Sequence, residues 1–370
     1  MTRPSRLLRL LRRLVPAAAV LLALAAAGAA IPDLPSLGSI DEDCTAFTFG
    51  RDGRMAFAVH HVFNQHKFMI QRDDFWVGEP GKGKRKILNG EKLVRGEGGF
   101  SYTVHSLRWS PDGTKLTAEL LTSTEEEHHS DVSSATMSFL LDANGLEIHI
   151  AGGGDSMIPE STNAAWLDDE STVVYLADET RPRSQFSINT VRPADGKPPE
   201  RLFPDTLFLG AAWQDQGRQA LAVTADSGPR GKPQLVLLDL DKQKEKPLAT
   251  LDGFAGGLKL SPSGQKVAYF RDMETLEVRS LANPEKVLQH VQALTGVFFW
   301  TQDEEHILLK AGPDRRSGII EVIRLRDGGT DDMFHGLTFW NFAVSPDGRR
   351  IGVTPPGKHV VNVFSLEGLR

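Results

Sequence analysis

The sequence predicts an all-β fold built from one repeated antiparallel unit. Three turn sequences of nearly identical composition occur along the chain, at residues 110–113, 261–264 and 345–348, and an apolar segment follows each of them. After residue 45 no stretch of ten or more residues has the spacing of apolar residues that a helix requires. The chain has 370 residues, of which 40% are hydrophobic and 24% are charged. This composition is that of a globular protein and excludes a disordered chain, a collagen or a coiled coil.

The three turns share a chemistry that reverses the chain between two strands. Each begins with Ser-Pro and ends in Gly, as in Ser110-Pro111-Asp112-Gly113. Proline fixes φ at the second position of a type I turn, aspartate accepts hydrogen bonds from nearby backbone N–H groups, and glycine closes the turn. Weaker copies of the same pattern occur at residues 49–53, 166–169, 213–217 and 300–304.

The spacing of the seven turns predicts the number of units. The apolar residues that precede the turns are 40 to 60 residues apart, and they are Phe49, Trp109, Trp166, Trp213, Leu260, Trp300 and Val344. A four-stranded propeller blade has this period. The sequence therefore predicts a seven-bladed β-propeller of four-stranded antiparallel blades over residues 46–370. We expect four of the tryptophans to be structural and to pack between neighbouring blades: Trp109, Trp166, Trp213 and Trp300.

The end of the chain is too short to complete a blade by itself. Only 26 residues follow Val344, which leaves room for two strands, at 350–354 and 359–365. An open ring would expose the edge of a strand. We therefore expect the N-terminal segment around residues 34–40, within a linker of residues 31–45, to supply the outer strand of the last blade.

The three Ser-Pro turns, each followed by an aliphatic strand, resemble WD40-like repeats of the TolB type. The resemblance covers about residues 40–370. It implies a propeller fold and leaves the activity open, because propellers serve many functions. The chain departs from TolB itself because no α/β domain precedes the first repeat. Only about fifteen residues separate the first repeat from residue 30.

The first thirty residues resemble a secretory signal peptide. Five arginines (Arg3, Arg6, Arg9, Arg12 and Arg13) precede an apolar run, and the small residues Ala27-Gly28-Ala29 follow it. A basic start, a short apolar stretch and an Ala-x-Ala-like end are typical of a cleaved signal. We therefore expect a periplasmic or secreted protein. An uncleaved anchor in the inner membrane and an organelle presequence are the alternatives.

Charge and cysteine content exclude several classes of partner and site. The formal net charge is −6, whereas a dedicated nucleic-acid binder is usually basic. The single cysteine, Cys44, excludes an intramolecular disulfide and a cysteine-based zinc cluster. We expect a monomer that binds no nucleic acid and contacts a membrane only through its N-terminal segment, if that segment is not cleaved.

Charged residues concentrate in the connections between the second and third strands of the predicted blades. These connections lie on the face opposite the Ser-Pro turns, and long loops on a rigid scaffold commonly carry binding sites. The candidate binding residues are His60, His61, His66, Glu125, Glu126, Glu127, Arg181, Arg183, Arg230, Arg315 and Arg316. Acidic and basic loops together predict a bipolar face suited to a charged protein or peptide. Ordinary solvated loops are the alternative.

No motif predicts a catalytic, cofactor or metal site. Residues 78–84 have the spacing of a phosphate-binding loop, but Arg85 stands where that loop needs Ser or Thr. The histidines beside glutamates match no spacing of metal ligands. We therefore predict an exported, non-enzymatic propeller scaffold that binds a protein or peptide in the cell envelope. A propeller enzyme with its site at the axial channel, such as a lactonase, a lyase or a glycan-acting hydrolase, is the alternative.

Overall fold

The computed structural model describes residues 34–65, 68–92, 99–125, 132–149, 156–180, 185–214, 218–225, 231–293, 296–314, 317–367 and 369. From Pro35 onward the chain forms one compact unit. Its regular elements in these ranges are strands and two short 3₁₀ turns, at Gly90–Lys92 and Pro193–Asp195. Within them, no helix has the length and apolar character needed to cross a membrane. The predicted signal peptide, residues 1–30, lies outside the described residues.

The strands follow one another as antiparallel neighbours from the start of the described chain. Strand β1 (Ser36–Ile40) comes first. The next strands are β2 (Cys44–Phe49), β3 (Met55–Val59), β4 (Val62–Gln65), β5 (Phe68–Gln71), β6 (Asp74–Glu79) and β7 (Gly83–Leu88). Strands β2, β3, β6 and β7 form one sheet, and β4 and β5 form a separate hairpin. The next sheet has β8 (Gly99–Trp109), β9 (Lys115–Glu125), β10 (Val132–Asp142) and β11 (Met157–Pro159).

Two further sets of four strands occupy the middle of the chain. The first set is β12 (Ser161–Trp166), β13 (Val173–Thr180), β14 (Gln185–Val191) and β15 (Glu200–Leu202). The second set is β16 (Phe208–Trp213), β17 (Gln219–Thr224), β18 (Gln234–Asp239) and β19 (Lys244–Thr250). A single residue pair, Phe186 with Phe208, links β14 to β16 and joins both sets into one eight-stranded sheet.

The last part of the chain forms three more four-stranded sheets. One contains β20 (Gly256–Leu260), β21 (Lys266–Phe270), β22 (Thr275–Ser280) and β23 (Val287–Gln292). The next contains β24 (Phe298–Trp300), β25 (His306–Asp314), β26 (Ser317–Arg324) and β27 (Thr330–Asp332). The third contains β28 (Asn341–Val344), β29 (Arg350–Thr354) and β30 (Val361–Ser365), with β1 as its fourth strand.

The sheet count corrects the sequence prediction. Seven separate four-stranded blades are predicted, whereas the described residues form five separate four-stranded sheets and one eight-stranded sheet. The physical reason is local, because β14 pairs with β15 through three residues and also meets the start of β16 at Phe186. The predicted all-β architecture of antiparallel four-stranded units is otherwise confirmed.

The N-terminal strand occupies the edge of the last sheet. Strand β1 pairs antiparallel with β30, with Ile40 opposite Val361 and Ser36 opposite Phe364. This is the position for which the sequence predicts an N-terminal strand. The pairing joins the two ends of the described chain in one sheet and covers an edge that would otherwise be open.

The first strands of the successive sets form an inner ring, and we call them the inner strands: β2, β8, β12, β16, β20, β24 and β28. Contacts join β2 to β8 and to β28, β8 to β12, β16 to β20, and β24 to β28. Asn163 Nδ2 donates to Ala211 O at 2.8 Å and links β12 to β16. Trp300 Nε1 donates to Lys259 O at 3.3 Å and links β20 to β24. In a propeller these strands surround the axial channel.

The antiparallel order defines two faces. The inner strands end at one of them, which carries the turns at residues 110–113, 261–264 and 345–348, and we call it the turn face. The inner strands begin at the opposite face. The second strand of each set runs back to that opposite face, so the connections between second and third strands also lie there. We call it the loop face.

The four predicted structural tryptophans lie at the ends of inner strands, next to the turn face. Trp166, Trp213 and Trp300 are buried, and Trp109 is half-buried. Trp166 packs in a cluster with Leu140 and Ile158 of the preceding sheet. Each of the four tryptophans thus packs in an apolar cluster that includes residues of a neighbouring set of strands.

Candidate functional site on the loop face

The charged residues predicted from the sequence are only partly described. His60 and His61 follow β3, and Glu125 is described as the last residue of β9. The side chain of Glu125 lies outside the described residues, as do His66, Glu126, Glu127, Arg181, Arg183, Arg230, Arg315 and Arg316. The strands that flank these residues end or begin at the loop face. The bipolar charged surface therefore stays a prediction.

A hairpin inserted into the first sheet projects on the loop face. Its strands β4 and β5 pair antiparallel, from Val62 opposite Gln71 to Gln65 opposite Phe68. The N–H of Gln71 donates to Ser101 Oγ at 3.2 Å, and its side-chain Nε2 donates to Thr103 Oγ1 at 2.7 Å. Both acceptors belong to β8. The hairpin is therefore attached to the inner strand of the neighbouring sheet.

A buried arginine fixes the base of this hairpin. Arg72 Nε donates to Phe100 O at 2.7 Å, and its guanidinium lies over the rings of Phe63 and Phe100, at 5.4 and 5.9 Å from their centroids. Burial lowers the pKa of Arg72, and the neighbouring Tyr102 acts in the opposite direction. The hydrogen bond and the two cation–π contacts join hairpin strand β4 to inner strand β8.

The next residue carries a fully buried carboxylate. Asp73 Oδ2 accepts hydrogen bonds from Thr45 Oγ1 at 2.7 Å and from the N–H of Val104 at 2.8 Å. Burial raises the pKa of Asp73, while these hydrogen bonds and the nearby His60 lower it. Asp73 Oδ1 has no hydrogen-bond partner among the described residues, and it lies 3.9 Å from His60 Nδ1. Asp73 thus connects β2 and β8 beneath the exposed histidine.

A second carboxylate contacts His61, the next of the three predicted histidines. Asp74 Oδ2 lies 3.2 Å from His61 Nδ1 and also contacts the ammonium group of Lys86. Asp74 Oδ1 accepts a hydrogen bond from the N–H of Gly90 at 2.8 Å. The other ring nitrogen of His61 lies 3.3 Å from Glu91 Oε1. His61 therefore bridges β6 and the 3₁₀ turn that follows β7.

The sequence pattern indicates the two histidines but not the carboxylates that they contact. The run Arg72-Asp73-Asp74 is the signal that could have revealed them, because three charged residues in a row are unusual between two apolar strands. In the described ranges no three His, Cys, Asp or Glu side chains are grouped so that they could hold a metal ion. The cluster instead consists of ion pairs and hydrogen bonds that position the hairpin.

Exposed apolar side chains accompany this cluster on the loop face. Nine large apolar residues are exposed among the described ones, and six of them lie on loop-face elements: Val62, Met69, Leu121, Met273, Val297 and Trp340. Val62 and Met69 belong to the hairpin, and Met69 is 75% exposed. These six residues thus share one face, although they belong to different sets of strands.

Known structures are similar to this chain in fold. A chain in the crystal structure of the mitotic checkpoint complex is 14% identical with a TM-score of 0.56, and the match covers 92% of this chain and 96% of that one. The Dos1 propeller is 11% identical with a TM-score of 0.53, and the match covers 90% of this chain and 95% of that one. The Cps50 (Swd1) β-propeller domain of Myceliophteria thermophila is 12% identical with a TM-score of 0.57, with coverages of 90% and 99%.

These likenesses show the fold and nothing finer. No protein-family model matches the chain, and no curated protein matches its sequence. Two of these similar solved structures are β-propellers. The predicted β-propeller fold is thus confirmed for this chain.

Proposed function

We propose that this protein is a non-enzymatic propeller scaffold that binds a protein or peptide partner through its loop face. The observation that carries the proposal is the concentration of exposed apolar side chains on that face, with Met69 and Trp340 among them. Arg72 connects the hairpin that carries Met69 to inner strand β8. A rigid, preorganised apolar surface favours binding because little conformational entropy is lost when the partner docks.

The similar structures support this proposal by analogy. One of them is a chain of the mitotic checkpoint complex, an assembly of several proteins. Propellers present loops on a rigid ring, so one architecture can hold many partners. The predicted acidic and basic loops around Glu125 and Arg315 would add charge complementarity to the apolar contacts.

Two finer features belong to the same proposal. The Ser-Pro turns favour the TolB type of WD40-like repeat. The first thirty residues favour export to the periplasm or beyond the cell, with a cell-envelope partner.

Site-specific photo-crosslinking in the native compartment tests the proposal. A crosslinker replaces Met69 or Trp340 on the loop face, and Leu146 on the turn face provides the matched control because it is 69% exposed. We expect a defined crosslinked protein from both loop-face positions and none from Leu146. The substitution Met69→Lys should reduce capture at position 340. Equal capture from both faces, or no effect of Met69→Lys, contradicts the proposal.

A further inference from the structure

The ring of His61 lies between two carboxylates that belong to different elements. Its Nδ1 is 3.2 Å from Asp74 Oδ2 of β6, and its Nε2 is 3.3 Å from Glu91 Oε1 of the 3₁₀ turn Gly90–Lys92. A neutral imidazole has one donor and one acceptor nitrogen, whereas the imidazolium has two donors. Either neutral tautomer therefore directs a lone pair at one of the two carboxylates. The arrangement is complementary to the protonated ring.

Neighbouring contacts hold the ring of His61 in this position. It packs edge-on against Phe63 of β4, with ring centroids 5.5 Å apart. The backbone O of His61 accepts a hydrogen bond from the N–H of Arg72 at 3.0 Å, which closes the base of hairpin β4–β5. The side chain of His61 is nevertheless 27% exposed, so its ring can exchange protons with water.

The two carboxylates differ in burial and in their other partners. Asp74 is buried, its Oδ2 also contacts the ammonium group of Lys86 from β7, and its Oδ1 accepts the N–H of Gly90 at 2.8 Å. The side chain of Glu91 is 48% exposed, and in the described part of the chain no lysine or arginine forms an ion pair with it. Glu91 is therefore the partner that can move away from the ring.

The other charged groups at the base of the hairpin contact different atoms. Arg72 donates from Nη1 to the backbone O of Glu91 at 3.4 Å. The remaining titratable groups contact Asp73, and they are His60, 3.9 Å from its carboxylate, and Tyr102, which donates to its backbone O at 2.9 Å. The charge of His61 therefore decides whether the carboxylate of Glu91 is attracted to the hairpin base.

We propose that His61 is a proton-dependent link between hairpin β4–β5 and the 3₁₀ turn Gly90–Lys92. At the acidic end of the titration range of histidine, about pH 5, the imidazolium donates to both Asp74 and Glu91. At the basic end, about pH 8, the neutral ring satisfies one of the two carboxylates, and the bridge from β6 to the turn is broken. The loop face thus responds to pH at the connection between its first two sheets. This response is independent of the proposed partner binding.

Hydrogen exchange of the Lys92 amide tests the link, because this N–H donates to Asn89 O at 3.0 Å within the turn. Its protection factor, which corrects for the intrinsic pH dependence of exchange, should be about three- to fivefold higher at about pH 5 than at about pH 8. The amide of Lys286 is the internal control, since it donates to Asn283 O at 2.9 Å in another turn. A Lys92 response to pH no larger than that of Lys286 would overturn the proposal.

Variants separate the link from a general effect of pH. In Glu91→Gln the amide can donate to the neutral ring and accept from the protonated one, so protection of Lys92 should stay high at both pH values. His61→Phe keeps the packing against Phe63 but has no donor, so protection should stay low at both. Glu274→Gln changes an exposed glutamate elsewhere on the loop face and should keep the original pH response. If Glu91→Gln responds to pH like Glu274→Gln, His61 does not form the proposed link.

Discussion

The carboxylate of Glu170 accepts a hydrogen bond from the backbone N–H of Asp112, in the turn of the neighbouring sheet, at 2.9 Å. Glu170 has a φ of 54° and occupies the place that glycine takes in the Ser-Pro turns. The same arrangement recurs at Glu304, which also has a φ of 54° and accepts a hydrogen bond from the hydroxyl of Ser263 at 2.9 Å. Two glutamates with a left-handed backbone conformation thus link neighbouring turns by hydrogen bonds.

Replacement of Glu170 should separate backbone strain from the lost hydrogen bond. Glu170→Ala removes the acceptor and keeps a side chain at positive φ, so we expect a loss of about 1–3 kcal/mol in the free energy of unfolding. Glu170→Gly removes the acceptor but relieves the strain, so its loss should be smaller by about 1 kcal/mol. Glu170→Gln keeps an acceptor and should stay closest to the unsubstituted protein. Urea titration measures all three.

The exposed Glu285 provides the control for this series. Glu285→Ala should change stability by less than about 0.5 kcal/mol, as expected for a surface position. If Glu170→Ala is as stable as Glu170→Gly, the left-handed backbone conformation costs no free energy at this position.

The repeated turns could be recognised from the sequence because their chemistry is local. Inner strand β8 ends at Trp109 and β9 begins at Lys115, on either side of the predicted turn. Ser110 Oγ donates to Asp112 Oδ1 at 2.7 Å, as the turn pattern implies. A hydrogen bond within five residues is determined by those residues alone. The all-β propeller fold follows from counting such turns.

The contacts of the candidate site are not local, and they could not be predicted. His61 contacts Asp74, thirteen positions later, only because hairpin β4–β5 folds back between them. An inserted hairpin has the same alternation of apolar residues as a blade strand, so periodicity does not distinguish the two. The junction of two strand sets at Phe186 and Phe208 depends in the same way on a single tertiary contact.

The packing of Trp166 predicts a large cost of truncation. This side chain is 5% exposed, and Lys115 Nζ lies 4.8 Å from the centroid of its ring system. We expect Trp166→Ala to lower the free energy of unfolding by about 3–5 kcal/mol, because it leaves a cavity between neighbouring sheets. Urea titration followed by circular dichroism provides the measurement.

Trp340 is the matched control for this truncation, since it is 41% exposed on the loop face. Trp340→Ala should cost less than about 1 kcal/mol, because little apolar surface is uncovered. A cost below about 1 kcal/mol for Trp166→Ala as well would contradict the burial of the tryptophans between sheets.

Closure of the last sheet depends on a glycine in β1. Gly38 has a φ of 119°, and a Cβ at this position would lie 2.9 Å from the backbone nitrogen of Gly81. We expect Gly38→Ala to destabilise the protein by about 1–3 kcal/mol and to loosen the pairing of β1 with β30. Hydrogen exchange of the Ile40 amide, measured with the free energy of unfolding, reports both effects.

Gly83 provides the control for closure. It begins β7, and a Cβ there would meet nothing within 4 Å. Gly83→Ala should therefore leave stability within about 0.5 kcal/mol of the unsubstituted value. If the two variants have the same Ile40 amide exchange rate and the same free energy of unfolding, the pairing of β1 with β30 does not require glycine at position 38.

The pKa of Lys259 predicts an unusual dependence of stability on pH. Burial lowers this pKa from 10.5 to about 7 in the folded protein. Between these two values the unfolded chain holds a proton that the folded protein has released, so stability should rise with pH across this window. Below it both states are protonated, and the full cost of the buried cation is present.

The variant Lys259→Met lacks this proton and should not show the rise. The stability of Lys259→Met relative to the unsubstituted protein should therefore be greatest at about pH 7 and should decline toward about pH 10. Urea titrations across this range give the difference, and ¹³C NMR of the lysine Cε gives the pKa directly. Lys197→Met should leave the pH profile unchanged, because that lysine is exposed. A Lys259 pKa near that of an ordinary lysine, with parallel profiles for both variants, would show that the channel wall does not desolvate this ammonium group.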